Sequence, residues 1–392
     1  MTRSILKESN LICSGCGTCF TLCPASAISI EDNDGFQRVE VNQGLCTDCG
    51  KCAAACPRLD SKPPQHSGFE GCTVYACWHQ DDAIRLSATS GGVGDLIAST
   101  FLKLGYKVVG AVYDYDTHTV RHKIIDRAED LPAIRGSKYL QSRVHEAFSQ
   151  LSGDERYVIF GTPCQISGIR KSMGKRLDPD KVILVDFFCH GVPSMLLWQK
   201  YLAYIKKHHG ISTIEEIRFR DKSTGWHNYS MRISGNGKTY SRTMRDDLFY
   251  NFYLSDVCLN KGCYSCTLGH ESIASDIRMG DFWGPRFRED KKGVSLITVN
   301  TPVGQKVLEA IKAQLNLIPV TEKELLEAQP VLAKPVPAVY EAVMDDLKSD
   351  MDLEKIFNRY LRAAYIKRRL VLALKSLFPR QLKTMIKRIL RR

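Results

Sequence analysis

Cys13-Ser-Gly-Cys16-Gly-Thr-Cys19-Phe-Thr-Leu-Cys23-Pro24 is repeated 33 residues on as Cys46-Thr-Asp-Cys49-Gly-Lys-Cys52-Ala-Ala-Ala-Cys56-Pro57. Three thiolates within seven residues let a tight loop wrap three corners of one iron-sulfur cubane. The fourth cysteine of each run precedes a proline, turns away and reaches the other cubane. The spacing predicts two 4Fe-4S clusters. One is held by Cys13, Cys16, Cys19 and Cys56, the other by Cys46, Cys49, Cys52 and Cys23. Zinc sites use paired hooks of two cysteines rather than this pattern. Disulfides would need an oxidising compartment and an export signal.

This is the bacterial ferredoxin spacing. Between the two runs, residues 27–31 and 36–41 alternate in period two around Asp34-Gly35, which predicts a hairpin. A unit of about sixty residues buries little apolar surface, so the clusters would serve as its core. Eight adjacent thiolates also point to a reducing compartment, and the expected location is cytoplasmic.

The rest of the 392 residues is long enough for further domains. Hydrophobic residues make up 44% and charged residues 25%, an ordinary globular balance that excludes a wholly disordered or collagen-like chain. No stretch reads as a membrane span or a secretory leader. The formal net charge of +12 is local: residues 359–392 hold 12 Lys or Arg and no acid.

Residues 61–68 read as a Pro- and Gly-containing linker. Beyond it, strands are expected at 106–113, 157–160 and 182–188, and helices after Gly91-Gly92, after Gly161 and over 195–209. That alternation predicts an α/β core. A β-rich stretch follows over 214–234, then helices over 301–317 and 321–328. No Rossmann fingerprint, P-loop or zincin motif is present. Two loops join a strand to a helix with hydroxyls and glycines, Ser90-Gly91-Gly92 and Gly161-Thr162-Pro163-Cys164-Gln165. Such helix starts suit a phosphate group.

Taken in order, Ser90-Gly-Gly, 135–142 (RGSKYLQS), 161–169 (GTPCQISGI), 189–194 (CHGVPS), 219–226 (FRDKSTGW), Cys263-Tyr-Ser-Cys266 and 276–284 (DIRMGDFWG) resemble the coenzyme F420 hydrogenase/dehydrogenase beta-subunit family. The resemblance covers roughly residues 70–320. With the ferredoxin part it extends to the N-terminus. The expected chain is α+β (mixed α/β): a ferredoxin-like domain at 1–60, a linker at 61–70, a flavin-binding region, implied by the resemblance, in two parts at 71–155 and 156–320, and a helical extension with a basic tail at 321–392. The resemblance implies FAD, seated against Ser90, Gly91 and Gly92 and against Gly161, Thr162, Pro163, Cys164 and Gln165, with Lys138 and Gln141 close by. It also implies an oxidoreductase that takes electrons from ferredoxin or a similar redox protein. These would pass to an organic acceptor such as coenzyme F420 or an intermediate of polysaccharide synthesis; the alternative is an electron-transfer subunit without its own substrate, docked to a catalytic partner.

Among the other cysteines, Cys258-x4-Cys263-x2-Cys266 is dense enough for a third 4Fe-4S cluster. Cys189 is expected as its fourth ligand and Cys164 is the rival; a zinc site or plain buried thiols are the alternatives. Cys72 and Cys77 read as core residues. His190 is expected as a proton donor and Lys222 as a catalytic cation facing the acceptor, against duller structural roles for both. The basic tail, apolar with interspersed cations over 360–378 and again over 382–390, is expected to lie peripherally on the inner face of the membrane. No reader motif for nucleic acid accompanies it.

Overall fold

The computed structural model describes residues 13–59, 69, 71–173, 177–269, 272–330 and 335–377. The linker at 61–68 and the tail segment at 382–390 lie outside the described residues.

Strands β1 (Ile28–Asn33) and β2 (Phe36–Val41) pair antiparallel, with Asn33 opposite Phe36. Asp34 and Gly35 both take positive φ, 54° and 73°. That is the two-residue turn whose twist matches the flanking strands. Each cysteine run forms a loop and one short helix, Thr18–Leu22 and Lys51–Ala55, entered through a left-handed glycine, Gly17 or Gly50.

The body is built on β3 (Thr73–His79), β4 (Lys107–Asp114), β5 (Thr119–Ile125), β6 (Ser142–Arg143), β7 (Tyr157–Phe160) and β8 (Val182–Phe187). After them come β9 (Glu216–Asp221), β10 (Ser230–Gly235), β11 (Lys238–Thr243), β12 (Ile277–Asp281), β13 (Ser295–Val299) and β14 (Leu315–Pro319). Nine of these form one mixed sheet in the order β14-β3-β13-β12-β8-β7-β4-β5-β6. Both expected parts of the body, 71–155 and 156–320, contribute strands to it. Its centre, β12-β8-β7-β4, is parallel.

Alternate strand residues feed two cores. Val158, Ile183 and Val185 pack with Leu96, Ile97 and Phe101 of the helix Val93–Lys103 and with Val307 and Leu308 of the helix Pro302–Ile311. Ile159 and Leu184 pack on the other face with Ile166 and Ile169 of the helix Pro163–Ser172. Helices on both faces are what a parallel centre requires, because both of its faces must leave water. A third core joins the helix Met195–His209 to β9–β11 and to the helices Tyr340–Lys348 and Leu353–Tyr360. Ser194 caps the first of these and Gly210, at φ 63°, ends it.

The helix expected over 301–317 stops earlier. It runs Pro302–Ile311, passes through a 3-10 turn, and Leu315–Pro319 becomes β14. The period-two Leu-Asn-Leu-Ile pattern pairs with the open edge of β3, and that pairing outweighs helical propensity.

The cysteine-rich unit is docked, not tethered. Gln141 accepts from the Gln37 backbone N–H at 2.8 Å and donates to the Ser14 carbonyl at 3.3 Å. Gly168 faces Thr18 so closely that a methyl there would overlap the threonine side chain. Lys171 donates to the Cys56 carbonyl at 2.9 Å, and Arg58 donates to Ser265 Oγ at 2.9 Å. The hairpin turn meets the Met195–His209 helix, whose Met195 N–H donates to the Gly35 carbonyl at 2.8 Å.

His122 ties the β5-β6 edge to the end of β7. Its Nε2–H donates to the Phe160 carbonyl at 2.9 Å, so Nδ1 accepts from the Ser142 hydroxyl at 2.7 Å. Burial pushes its pKa down from 6.5 to about 4. Below pH 6.5 the unfolded chain therefore takes up a proton that the folded chain refuses. Stability is lost as pH falls from 6.5 toward 4, by about 3 kcal/mol in all. Denaturant titrations at pH 7 and pH 5 should show a steeper loss for the wild type than for His122→Gln.

Candidate iron-sulfur sites

Two recesses of closely similar size open in the N-terminal unit. Cys23, Cys46, Cys49 and Cys52 line the first; Cys13, Cys16, Cys19 and Cys56 line the second. The chain thus gathers the two sets that the spacing predicts, each with its fourth thiol from the other run. Four thiols line each recess. Among the described residues, no three Cys, His, Asp or Glu side chains converge closely enough for one metal ion. A ring of four thiols around a space suits a cubane, whose irons stand at separate corners.

The two sets differ in exposure. Cys16, Cys19 and Cys56 are buried. Burial raises the Cys16 thiol to about 11, and raises Cys19 and Cys56 as well. These thiols are neutral at pH 7 until iron displaces their protons. Cys49 of the other set is exposed, and its pKa is lowered chiefly by the Lys51 backbone N–H.

A third gathering of cysteines lies at the carboxyl end of the parallel strands. Cys164 stands in the first turn of the helix that follows β7, with its Sγ 3.1 Å from the Thr162 hydroxyl. Burial pushes its pKa well up, and Cys16, Cys266 and Cys189 push it in the same direction. Cys189 follows β8; a Cβ built on Gly269 would lie 3.3 Å from its carbonyl oxygen. Cys263 flanks Gly191, where an added Cβ would sit 3.6 Å from its Sγ. Cys189 and Cys263 both act on Tyr253. Cys258 stands apart: it is fully buried in the third core, within reach of Asp256, Tyr264 and Tyr340. Cys164, the rival to Cys189 for the fourth place, lies near Cys189 and Cys266, whereas Cys258, expected with Cys263 and Cys266, is packed in the third core.

One buried ion pair fixes this edge. Arg278 on β12 and Asp186 on β8 are both fully buried and doubly hydrogen-bonded, at 2.8 and 2.7 Å. The same guanidinium donates to the carbonyls of Leu268, Gly269 and Ser272. It thereby holds the loop that leaves Cys266. Sequence reasoning missed it because Asp186 and Arg278 lie 92 residues apart and pair only when β8 and β12 lie side by side.

The residues expected to hold FAD are engaged within the chain. The Ser90 hydroxyl donates to the Val294 carbonyl and the Gly91 N–H to Ser295 Oγ, both at 2.9 Å. A methyl on Gly91 would overlap the Cys77 carbonyl, so this glycine admits the backbone of β3 rather than a ligand. Lys138 Nζ donates to the carbonyls of Ala133 and Arg135, and burial lowers its pKa to about 7. Gln165 accepts from the Thr162 N–H at 2.9 Å in a capping box, with Pro163 opening the helix after Gly161. Gln141 clamps the cysteine-rich unit. The side-chain donors of this set therefore do not fit a diphosphate.

The two expected catalytic residues are also engaged. Lys222 directs its ammonium at the carbonyls of Arg85, Ser90 and Lys292, at 2.7, 2.6 and 2.6 Å. Burial and Arg220 push its pKa down to about 7, while three carbonyls favour the charged form. It staples two loops together. His190 Nε2 pairs with Asp256 Oδ1 at 2.8 Å and packs its ring against Tyr253.

Among the described residues, no helix is long and apolar enough to cross a membrane. No curated protein matches the chain. A solved structure of the F420-reducing nickel-iron hydrogenase complex from Methanosarcina barkeri, derivatised with xenon, contains a similar chain. Identity is 17% over 76% of this chain and 94% of that one, with a TM-score of 0.48. Residues 154–323 match the family described as the C terminus of the coenzyme F420 hydrogenase/dehydrogenase beta subunit, and residues 12–58 match the 4Fe-4S dicluster domain. The chain therefore joins a 4Fe-4S dicluster domain, over residues 12–58, to a domain that matches the C terminus of the coenzyme F420 hydrogenase/dehydrogenase beta subunit, over residues 154–323.

Proposed function

We propose that this protein is an electron-transfer oxidoreductase whose three cysteine sets mark a line from solvent to the carboxyl edge of the sheet. The observation that carries the reading is that Cys164, in the first turn of the helix after β7, lies close enough to Cys16 of the N-terminal unit and to Cys189 and Cys266 for each to act on its thiol. Cys13, Cys16, Cys19 and Cys56 would hold one 4Fe-4S cluster and Cys23, Cys46, Cys49 and Cys52 another. Cys164, Cys189, Cys263 and Cys266 would hold a third. Such clusters, when bound, supply one-electron carriage at potentials tuned by burial and hydrogen bonds. The exposed Cys49 side is where ferredoxin or a similar redox protein would dock.

FAD would supply the exchange between one-electron and two-electron chemistry. The side chains expected to hold it are used elsewhere in the chain. The engagement of Lys222 and of His190 favours a specific form of the reading, a subunit that hands electrons to a catalytic partner rather than reducing an organic acceptor alone.

Anaerobic purification with iron, sulfide and flavin assays tests this. About twelve irons per chain are expected, falling to about eight in Cys164→Ser and staying near twelve in Cys258→Ser. Iron near zero, or the same loss in Cys258→Ser as in Cys164→Ser, would overturn the assignment. Steady turnover of a candidate acceptor by the isolated chain with reduced ferredoxin would refute the subunit form.

A further inference from the structure

The basic tail is not absorbed by the cysteine sites. Its described part is one helix, Arg362–Leu377, with five cations and no acid. Its polar side faces the protein. Arg369 and Tyr365 both bind Asp246, at 2.7 and 3.1 Å. Arg368 donates to Asn251 Oδ1 at 2.5 Å and to the Arg245 carbonyl at 3.1 Å. Tyr365 also meets Phe357 of the preceding helix. These contacts fix the rotation of the helix about its axis. They leave Ile366, Leu370 and Leu374, spaced four residues apart, pointing to solvent, 44%, 59% and 55% exposed, with Val371 beside them at 38%. An apolar stripe thus faces outward on this helix, while Tyr365, Arg368 and Arg369 tie it to the body through hydrogen bonds.

The charge decides what covers this stripe. Arg362 and Lys367 flank it and are exposed. Residues 378–392 add six Lys or Arg and no acid. A second copy would set two such helices face to face, cation against cation. An outward apolar stripe edged by long cationic side chains matches a bilayer with anionic head groups: the apolar residues enter the acyl boundary and the cations reach the phosphates. We propose that the face of Ile366, Leu370 and Leu374 seats on an anionic membrane surface, with the helix axis in the membrane plane.

The test uses the full chain, purified without oxygen, and sedimentation with sucrose-loaded vesicles. Vesicles of equal parts phosphatidylcholine and phosphatidylglycerol should carry the protein down at least about tenfold better than phosphatidylcholine alone. High salt should weaken the binding, since the attraction is screened. The double variant Leu370→Glu with Leu374→Glu should lose about tenfold or more of the binding. Leu326→Glu, which removes another exposed apolar side chain elsewhere, should leave it unchanged. Unaltered cluster absorbance in each variant shows that the fold is kept. No sedimentation with the anionic vesicles, as expected if an acidic protein is the true occupant, would overturn the proposal. So would equal binding by the double variant, or equal loss in Leu326→Glu.

Discussion

Arg278→Ala should destabilise the protein by about 3–5 kcal/mol and reduce the iron of the cluster proposed at Cys164. The first effect follows from what is left behind. Asp186 is fully buried, and besides the two bonds from Arg278 its carboxylate accepts from the Ser275 hydroxyl at 2.7 Å. Without the guanidinium, a charge remains in a low-dielectric centre between β8 and β12. The second effect is local. Three carbonyls of the loop after Cys266 lose their donor together, and the segment before that loop carries two of the cysteines at the sheet edge. A double variant separates the two. Arg278→Met with Asp186→Leu removes both charges and should regain most of the stability in anaerobic urea titrations. It restores no donor to Leu268, Gly269 or Ser272, so the iron count should stay low. Equal recovery of stability and iron would show that Arg278 acts on the fold alone.

What the sequence revealed and what it concealed divide along the distance over which each feature is decided. The eight N-terminal cysteines were legible because a cubane loop is written within seven residues, and the Asp34-Gly35 turn because positive φ restricts the residue choice at two neighbouring positions. The strands at 157–160 and 182–187 were legible as short apolar runs closed by glycine or polar residues. Gln141, expected beside a flavin, instead clamps Gln37 and Ser14. A carboxamide that meets a ligand and one that meets backbone a hundred residues away look alike in a one-dimensional reading. Lys222 is a case of the same kind, since a lysine directed at three carbonyls has no local signature. Cys258, near Cys263 in sequence, is packed in the third core, whereas Cys164 and Cys189, far apart in sequence, follow the neighbouring parallel strands β7 and β8. Residues 315–319 were lost to a strand because the free edge of β3 lies more than 230 residues away.

That same long-range docking gives the two N-terminal sets different places, and substitution should tell them apart. Cys49→Ser alters the set with the exposed thiol. About four irons should be lost, and reduction by a protein donor such as ferredoxin should slow by about tenfold or more. A small reductant needs no docking face and should still reduce what remains. Cys56→Ser alters the set against the body, where Cys56 is buried and its carbonyl accepts from Lys171. The iron loss should be similar in size, but the consequences reach further. The loop of Cys13 and Cys16 rests on Gln141 through Ser14 and Gly15, so a ring without its fourth thiol loosens the seat of the whole unit. Limited proteolysis should then cut Cys56→Ser faster than Cys49→Ser, and protein-driven reduction of the iron near Cys164 should vanish although the outer set is intact. Were the two variants to behave alike in proteolysis and with both kinds of reductant, the cysteine sets would have no order, and the line from Cys49 through Cys16 to Cys164 would not be the path.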